Sequence, residues 1–339
     1  MTQWLKLTDD QRRTSLAQAS QASGINVKSI EKDWWVTVTL KALFQSAHAK
    51  HLIFKGGTSL SKCWKLIERF SEDIDIALDP NAFNTEYAPN PSNNYLKKLK
   101  RAGCEFTSTL LADSIVEQLI ALGIPKEKFQ LTVDPVKVEM PDKDPQVLFL
   151  KYTSLYDPNP YLPDEVKIEV GVRSKLEPFE PVAILSLLTE YFPSEAYPEQ
   201  PFEVTAFKPH KTFLEKAFLL HEEFAKLEKA KIRTERMSRH FYDLEKMMDT
   251  DIAKQALSDG GFYTELIAHR SKYSALRGID YSKLEPHTIN FYPTEDLIEA
   301  YLTDYKTMQE MMIYGKSLSG TELFERIKKL LAIFNNTKF

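Results

Sequence analysis

The sequence predicts an α+β protein: a mixed sheet, a helical lead-in before it and a helical C-terminal domain after it. Three observations carry that expectation. Strand-like runs, alternating or short and apolar, are concentrated between residues 51 and 208. Helical periodicity fills 8–47 and returns after Pro209, where strand signals largely vanish. The composition, 27% charged and 43% hydrophobic over 339 residues, is globular, and the length exceeds what one core of roughly 250–300 residues sustains. The expected organisation is therefore N-terminal helices over 1–50 packing on the core, an α/β domain over 51–208 and a helical domain over 209–339.

Thr8 is placed to cap a first helix, with Asp9, Asp10 and Gln11 in its first turn. A second helix follows Asn26, because Ile30, Trp34, Val38 and Ala42 recur at steps of four with Trp35 beside them. From His51 the pattern changes. LIFK is a short apolar run, GGTSLSKCWKLIERF turns into a helix, and DIDIAL alternates as a strand does. Residues 80–96 carry Asn and Pro and read as a loop, and 97–122 read as helical. Further strand expectations are FQLTV and VKVEM (129–140), VLFLKY (147–152), VKIEVGV (166–172), VAILSLL (182–188) and FEVTAF (202–207). The helical half is expected at 210–228, 233–249, 261–276, 294–312 and 321–334.

Lys+Arg 44 against Asp+Glu 48 gives a net charge of −4, so any nucleic-acid surface must be a local patch. Cys63 and Cys104 lie far apart in no metal-type spacing, which fits a reducing compartment rather than a disulfide framework or structural zinc. The opening MTQWLKLTDDQRR does not read as a secretory signal, and no run of about 18 apolar residues occurs, so a soluble, cytoplasmic protein with no membrane partner is expected.

The densest chemical signal is FKGGTSLSKCWKLIERFSEDIDIAL at 54–78. Glycine is scarce, 11 in the whole chain, so two adjacent glycines directly after a strand stand out. Gly56 and Gly57 permit close backbone approach, the next helix aims its N–H groups at the same spot, and Thr58, Ser59 and Ser61 add hydroxyls: a phosphate cradle. In the strand that follows, Asp73 and Asp75 project to one face while Ile74, Ile76 and Leu78 fill the other. Adjacent carboxylates repel unless a cation sits between them, and Mg²⁺ takes one or two carboxylates plus substrate phosphates. The bland readings are a glycine turn ending a strand and a solvated strand face. A third acid is wanted, and VKIEVGV offers Glu169, opposite the apolar Val166, Ile168, Val170 and Val172 and on the side of Lys167, Gly171 and Arg173. Glu139 in VKVEM is the rival.

Gly-Gly with a hydroxyl, then a Dx[D/E] pair, then a later strand acid resembles the polymerase-β-like nucleotidyltransferases. KGGTSLSK…RFSEDIDIAL resembles more closely the AbiEii/AbiGii toxin family. EKDWWVTVTLKALF (31–44), HRSKYSALRGIDYSKL (269–284) and DYKTMQEMMIYG (304–315) resemble that family's flanks, so the resemblance spans most of the chain. The fifteen residues between Gly57 and Asp73 exceed the usual spacing of the broad superfamily and suit this branch.

The resemblance implies a polymerase-β-like fold and assigns residues. Lys55, Gly56, Gly57, Thr58 and Ser59 would meet the nucleotide, and Asp73, Asp75 and Glu169 the metal. The family's lysine helix is TFLEKAFLLHEEF here, where Lys216 borders the stripe of Phe213, Ala217, Leu220 and Phe224. A lysine in that position ordinarily snorkels; the resemblance gives Lys216 to the nucleotide phosphates. The Arg/Asp helix is RMSRHFYDLEKM, where Arg236, His240 and Asp243 share a face that equally suits a salt-bridged surface. The family often has an acid at the place of His240, whereas Asp243 stands in the family's YDL element.

The activity implied is transfer of NMP from an NTP, with Mg²⁺ or Mn²⁺, to an acceptor such as the 3′ end of a tRNA. The biology implied is a toxin–antitoxin or phage-defence module whose partner is an AbiEi-like antitoxin. The alternatives are modification of a protein or small molecule, and a nucleotide-binding regulator without turnover. KLEKAKIRTERMSRH (226–240), with six Lys/Arg against two Glu, is either a solvated face or an RNA path, and KKLKR (97–101) is a second basic cluster.

Overall fold

The computed structural model describes residues 2–137, 140–159 and 162–339. It forms two units, Met1–Cys63 with Phe70–Phe207, and Trp64–Arg69 with Lys208–Phe339. The sheet is mixed and the second unit is helical, which is the α+β architecture expected.

In the first unit, Thr8 and Gln11 close a reciprocal capping box on helix α1 (Asp9–Ser23), which ends on Gly24 at φ +74°. Asn26 caps α2 (Val27–Phe44) through the Lys28 N–H. The chain continues through strand β1 (Leu52–Lys55), α3 (Gly56–Lys62), β2 (Ile74–Leu78), α4 (Asn93–Phe106), α5 (Ala112–Ala121), β3 (Phe129–Val133), β4 (Gln146–Tyr152), β5 (Glu165–Gly171), β6 (Phe179–Ile184), α6 (Leu187–Tyr191) and β7 (Phe202–Phe207). The seven strands are ordered β3-β4-β5-β2-β1-β7-β6. β2 runs parallel to β5 and antiparallel to β1, and β1 runs parallel to β7. Helix α2 packs on β5 and β7 and against α1, α5 and α6. Trp34, Trp35 and Val38 are fully enclosed there, with Trp35 stacked 4.9 Å from Tyr152.

Charged residues of α2 are also buried. Glu31 accepts from Ser154 Oγ at 2.6 Å and Leu155 N at 2.8 Å. Lys32 pairs with Glu72 at 2.6 Å, and Asp33 accepts from Lys62 Nζ at 2.7 Å and Leu187 N at 2.7 Å. Buried ions require such partners, and each partner comes from a distant segment. Glu72 precedes Asp73, and Lys62 ends α3, so α2 braces both segments that carry candidate site residues.

The second unit holds α7 (Pro209–Phe224), α8 (Ser238–Met248), α9 (Asp251–Ser258), α10 (Gly260–Tyr273), α11 (Glu295–Met311) and α12 (Gly320–Asn336). α8 packs on α7, α9, α11 and α12, and Phe241 meets Tyr301 edge-on at 5.4 Å and Phe324 at 5.2 Å. Among the described residues no helix is long and apolar enough to cross a membrane.

Four local expectations are corrected. The helix after the glycines stops at Lys62 instead of running to Phe70, because Lys65 adopts φ +52° and residues 64–69 bond within the second unit. There Tyr314 N and Gly315 N donate to the Glu68 carbonyl at 3.1 and 3.2 Å. VAILSLL leaves the sheet at Ile184, since Ser186 caps α6 and donates to Glu199 at 2.7 Å. The expected strand at 136–140 does not form at Val136, Lys137 or Met140, and Glu139 lies outside the described residues. Helix α9, capped by Thr250, falls where no helix was expected.

Candidate active site

β2 and β5 build the acidic face. Ile74 pairs with Ile168 and Asp75 with Glu169, so the buried side of both strands is filled by Ile74, Ile76, Ile168 and Val170. The alternation of β-structure puts Asp73, Asp75, Lys167 and Glu169 together on the other side, all half-buried. β1 extends the row, because Lys55 is in register with Asp75, and its Nζ donates to Ser174 Oγ at 3.1 Å. One step further along the same face, Ile53, Ala77 and Phe207 form an apolar cluster covered by Leu176.

Gly56 adopts φ +79°, and a Cβ built there would overlap Asp75 Oδ2 and lie 2.9 Å from Asp75 Cγ. Only glycine supplies both the dihedral and the space. Gly57 continues into α3. Thr58 and Ser59 are buried and their hydroxyls are used within the chain: Thr58 Oγ1 donates to the Asp73 carbonyl at 2.5 Å and lies 2.9 Å from Ser71 Oγ, and Ser59 Oγ donates to the Gly56 carbonyl at 2.9 Å. These two hydroxyls therefore brace the glycine turn and the start of β2.

Asp73, Asp75 and Glu169 are hard oxygen donors of the kind Mg²⁺ and Mn²⁺ take, and Gly56 brings the backbone of the turn directly against the Asp75 carboxylate. Among the described residues, no three His, Cys, Asp or Glu side chains stand together as a ready-made metal cluster. Glu169 is instead ion-paired with Lys167, its neighbour two residues back on the same strand. Burial opposes the Lys167 charge, yet the hydrogen bond to Glu169 and the fields of Glu169, Asp73 and Asp75 hold its pKa above the ordinary lysine value.

A second cluster is built within the helical unit. Arg69 grips Asp243 with two bonds, Nε to Oδ1 at 2.7 Å and Nη2 to Oδ2 at 2.8 Å, and Lys216 Nζ lies 2.8 Å from Asp243 Oδ2. Asp243 is 0% exposed, Arg69 2% and Lys216 7%. Lys216 thus points inward and does not snorkel. Burial alone would raise the Asp243 pKa, but Arg69 and Lys216 hold it well below the usual carboxylate range. One negative charge is shared between two cations. Burial and the neighbouring Arg69 accordingly pull Lys216 below the ordinary lysine value, against the attraction of Asp243. His240 is held neutral, first by burial and then by Lys216 and Arg239, and its Nδ1 has no hydrogen-bond partner among the described residues.

The basic run at 226–240 is largely neutralised. Lys226 and Arg233 pair with Glu223, Lys229 with Asp296 at 3.1 Å and Lys231 with Glu228 at 2.7 Å. In the 97–101 cluster on α4, Lys100 pairs with Asp142 at 2.6 Å while Lys97 and Lys98 stand exposed. α4 closely approaches Val172, the residue after β5, since a Cβ on Gly103 would overlap it. Sequence reasoning missed Arg69 and the charged residues of α2. The signal for Arg69 was its place two residues before Ser71 in the acidic motif; for α2 it was an EKD triplet directly before the apolar Trp34, Trp35 and Val36.

Residues 39–332 match the family described as nucleotidyl transferase AbiEii toxin, type IV TA system. No curated protein matches the chain.

Proposed function

Because the chain belongs to the AbiEii nucleotidyl transferase toxins of type IV toxin–antitoxin systems, we propose that it transfers NMP from an NTP to RNA, at the 3′ end of a tRNA, with Mg²⁺ or Mn²⁺. The observation that carries this reading is the face of Asp73, Asp75 and Glu169, with the Cβ-free Gly56 against Asp75.

Asp73, Asp75 and Glu169 would hold the metal, which when bound supplies charge neutralisation at the α-phosphate and at the departing pyrophosphate. The backbone at Lys55, Gly56 and Gly57 would receive the triphosphate, with Thr58 and Ser59 fixing the turn from behind. Orientation and charge placement would provide most of the rate, as phosphoryl chemistry needs little covalent participation. Lys216 is assigned to the nucleotide phosphates, and Asp243 with Arg69 to holding its ammonium in place. For the acceptor, the exposed Lys97 and Lys98 offer charge less encumbered than that of 226–240. The partner proposed is an AbiEi-like antitoxin and the setting phage defence in the cytoplasm.

The test is end-labelling of total RNA by purified protein with each labelled NTP, with and without EDTA. Labelled tRNA that vanishes with EDTA and with Asp75→Ala supports the reading. Labelling of protein or of small molecules instead, or none with any NTP, overturns it.

A further inference from the structure

Lys167 occupies an unusual place in the acidic face. It shares that face with Glu169, to which it is ion-paired. The β2–β5 register, continued by one residue beyond the Ile74–Ile168 pair, sets Asp73 beside Lys167 just as Asp75 is beside Glu169. The four side chains form a square of three acids and one ammonium on a half-buried patch. Three carboxylates in such a patch repel one another unless a cation offsets them. The chain supplies that cation itself.

We propose that Lys167 is the resident counter-ion of the acidic face, and that a divalent metal binds by displacing its ammonium from Glu169. This accounts for the lack of a ready-made three-ligand cluster among the described residues. The carboxylate best placed to complete it is held by lysine. The exchange needs no refolding. A lysine side chain has four rotatable bonds, and Lys167 is 38% exposed, so its ammonium can swing to water while the strand stays in register. Lys167 is a positioning residue here: it sets how tightly the face takes a metal and keeps the acids together before one arrives. The inference rests on the metal-dependent reading above.

The test is calorimetric titration of Mn²⁺ into metal-stripped, nucleotide-free protein, compared for wild type, Lys167→Met and Lys167→Arg. Methionine keeps most of the length and removes the charge, so Mn²⁺ should bind at least about tenfold more tightly. Arginine grips a carboxylate with two bonds, so Lys167→Arg should bind more weakly than wild type. The melting temperature gives a second readout. Lys167→Met should melt lower than wild type in EDTA and gain more from added Mg²⁺. The same charge removal at Lys151, exposed on β4, is the control for a general field effect and should leave Mn²⁺ affinity within about twofold. Equal Mn²⁺ affinity for wild type and both Lys167 variants overturns the inference, as does an equal gain for Lys151→Met. Lack of Mn²⁺ binding by Lys167→Met overturns it too. None of these results bears on the transferase reading, which the EDTA and Asp75→Ala arms of the labelling assay judge by themselves.

Discussion

Gly56 and Asp75 are packed so closely that the glycine has no room for a single added carbon. The pair links the turn after β1 to the carboxylate at the centre of the acidic face.

Gly56→Ala should therefore damage both stability and transfer. A left-handed backbone forced on alanine costs about 1–3 kcal/mol, and the overlap with Asp75 adds to it. Urea denaturation reads the first loss. A soluble Gly56→Ala protein with wild-type transfer and an unshifted midpoint would show that the turn is tolerant and the cradle reading mistaken.

Asp73→Asn and Asp75→Asn should behave differently from that glycine variant. Each removes one negative charge from a crowded face, so stability in EDTA should stay level or rise. Transfer should fall by roughly a thousandfold or more, because charge stabilisation at the phosphates is lost. Wild-type turnover by either variant would refute the metal assignment.

In the helical unit, Asp243→Asn should be the most destabilising single change. It leaves Arg69 and Lys216 buried without their shared counter-charge, at about 3–5 kcal/mol. Lys216→Met should cost far less, because Arg69 alone still satisfies Asp243. If Lys216 serves phosphates, Lys216→Met should nonetheless raise the KM for NTP, and Lys216→Arg should restore it only in part. Unchanged kinetics in Lys216→Met would leave the lysine a purely structural role.

Stability should fall as the solution is acidified from about pH 6.5, the ordinary histidine value. Burial lowers the pKa of His221 and, further, that of His240 in the folded chain, while both would take protons readily in the unfolded one. For His240, Lys216, Arg239 and Arg69 oppose protonation and Asp243 favours it. Between the depressed folded pKa and 6.5 the unfolded state binds more protons, so stability rises with pH by up to about 1.4 kcal/mol per unit for each histidine. His240→Gln should flatten that slope by up to one proton. Urea midpoints from pH 5 to 7.5 give the measurement, and identical slopes for the two proteins would count against a buried neutral His240.

RNA binding should separate the two basic clusters. Lys97→Glu/Lys98→Glu should weaken tRNA binding and flatten its dependence on salt, as loss of phosphate contacts does. Lys229→Glu/Lys231→Glu should change little, since both lysines already pair with Asp296 and Glu228. The opposite pattern in filter binding across a salt series would return the acceptor path to 226–240.

The sequence by itself determined whatever depends on neighbours a few residues apart. Thr8 and Asn26 mark the starts of α1 and α2 because capping is local chemistry. The alternation of DIDIAL and VKIEVGV separates acids from the apolar side of each strand, since side-chain direction along a strand has a period of two. Asp73, Asp75 and the glycines were legible as one constellation for that reason. Only the tertiary structure decided which charges meet. Pairing of β2 with β5 in one register brings the Lys167–Glu169 pair of β5 to the aspartates of β2, and a slip by one residue would have sent the two sets to opposite faces. Arg69 looked like part of a helix after the glycines, yet Lys65 breaks that helix and the guanidinium is buried on Asp243, 174 residues later. Glu31, Lys32 and Asp33 carried no such reading in the sequence, and all three are buried. A charge is stable in an interior only where a distant partner meets it, and a linear pattern holds no record of that distance.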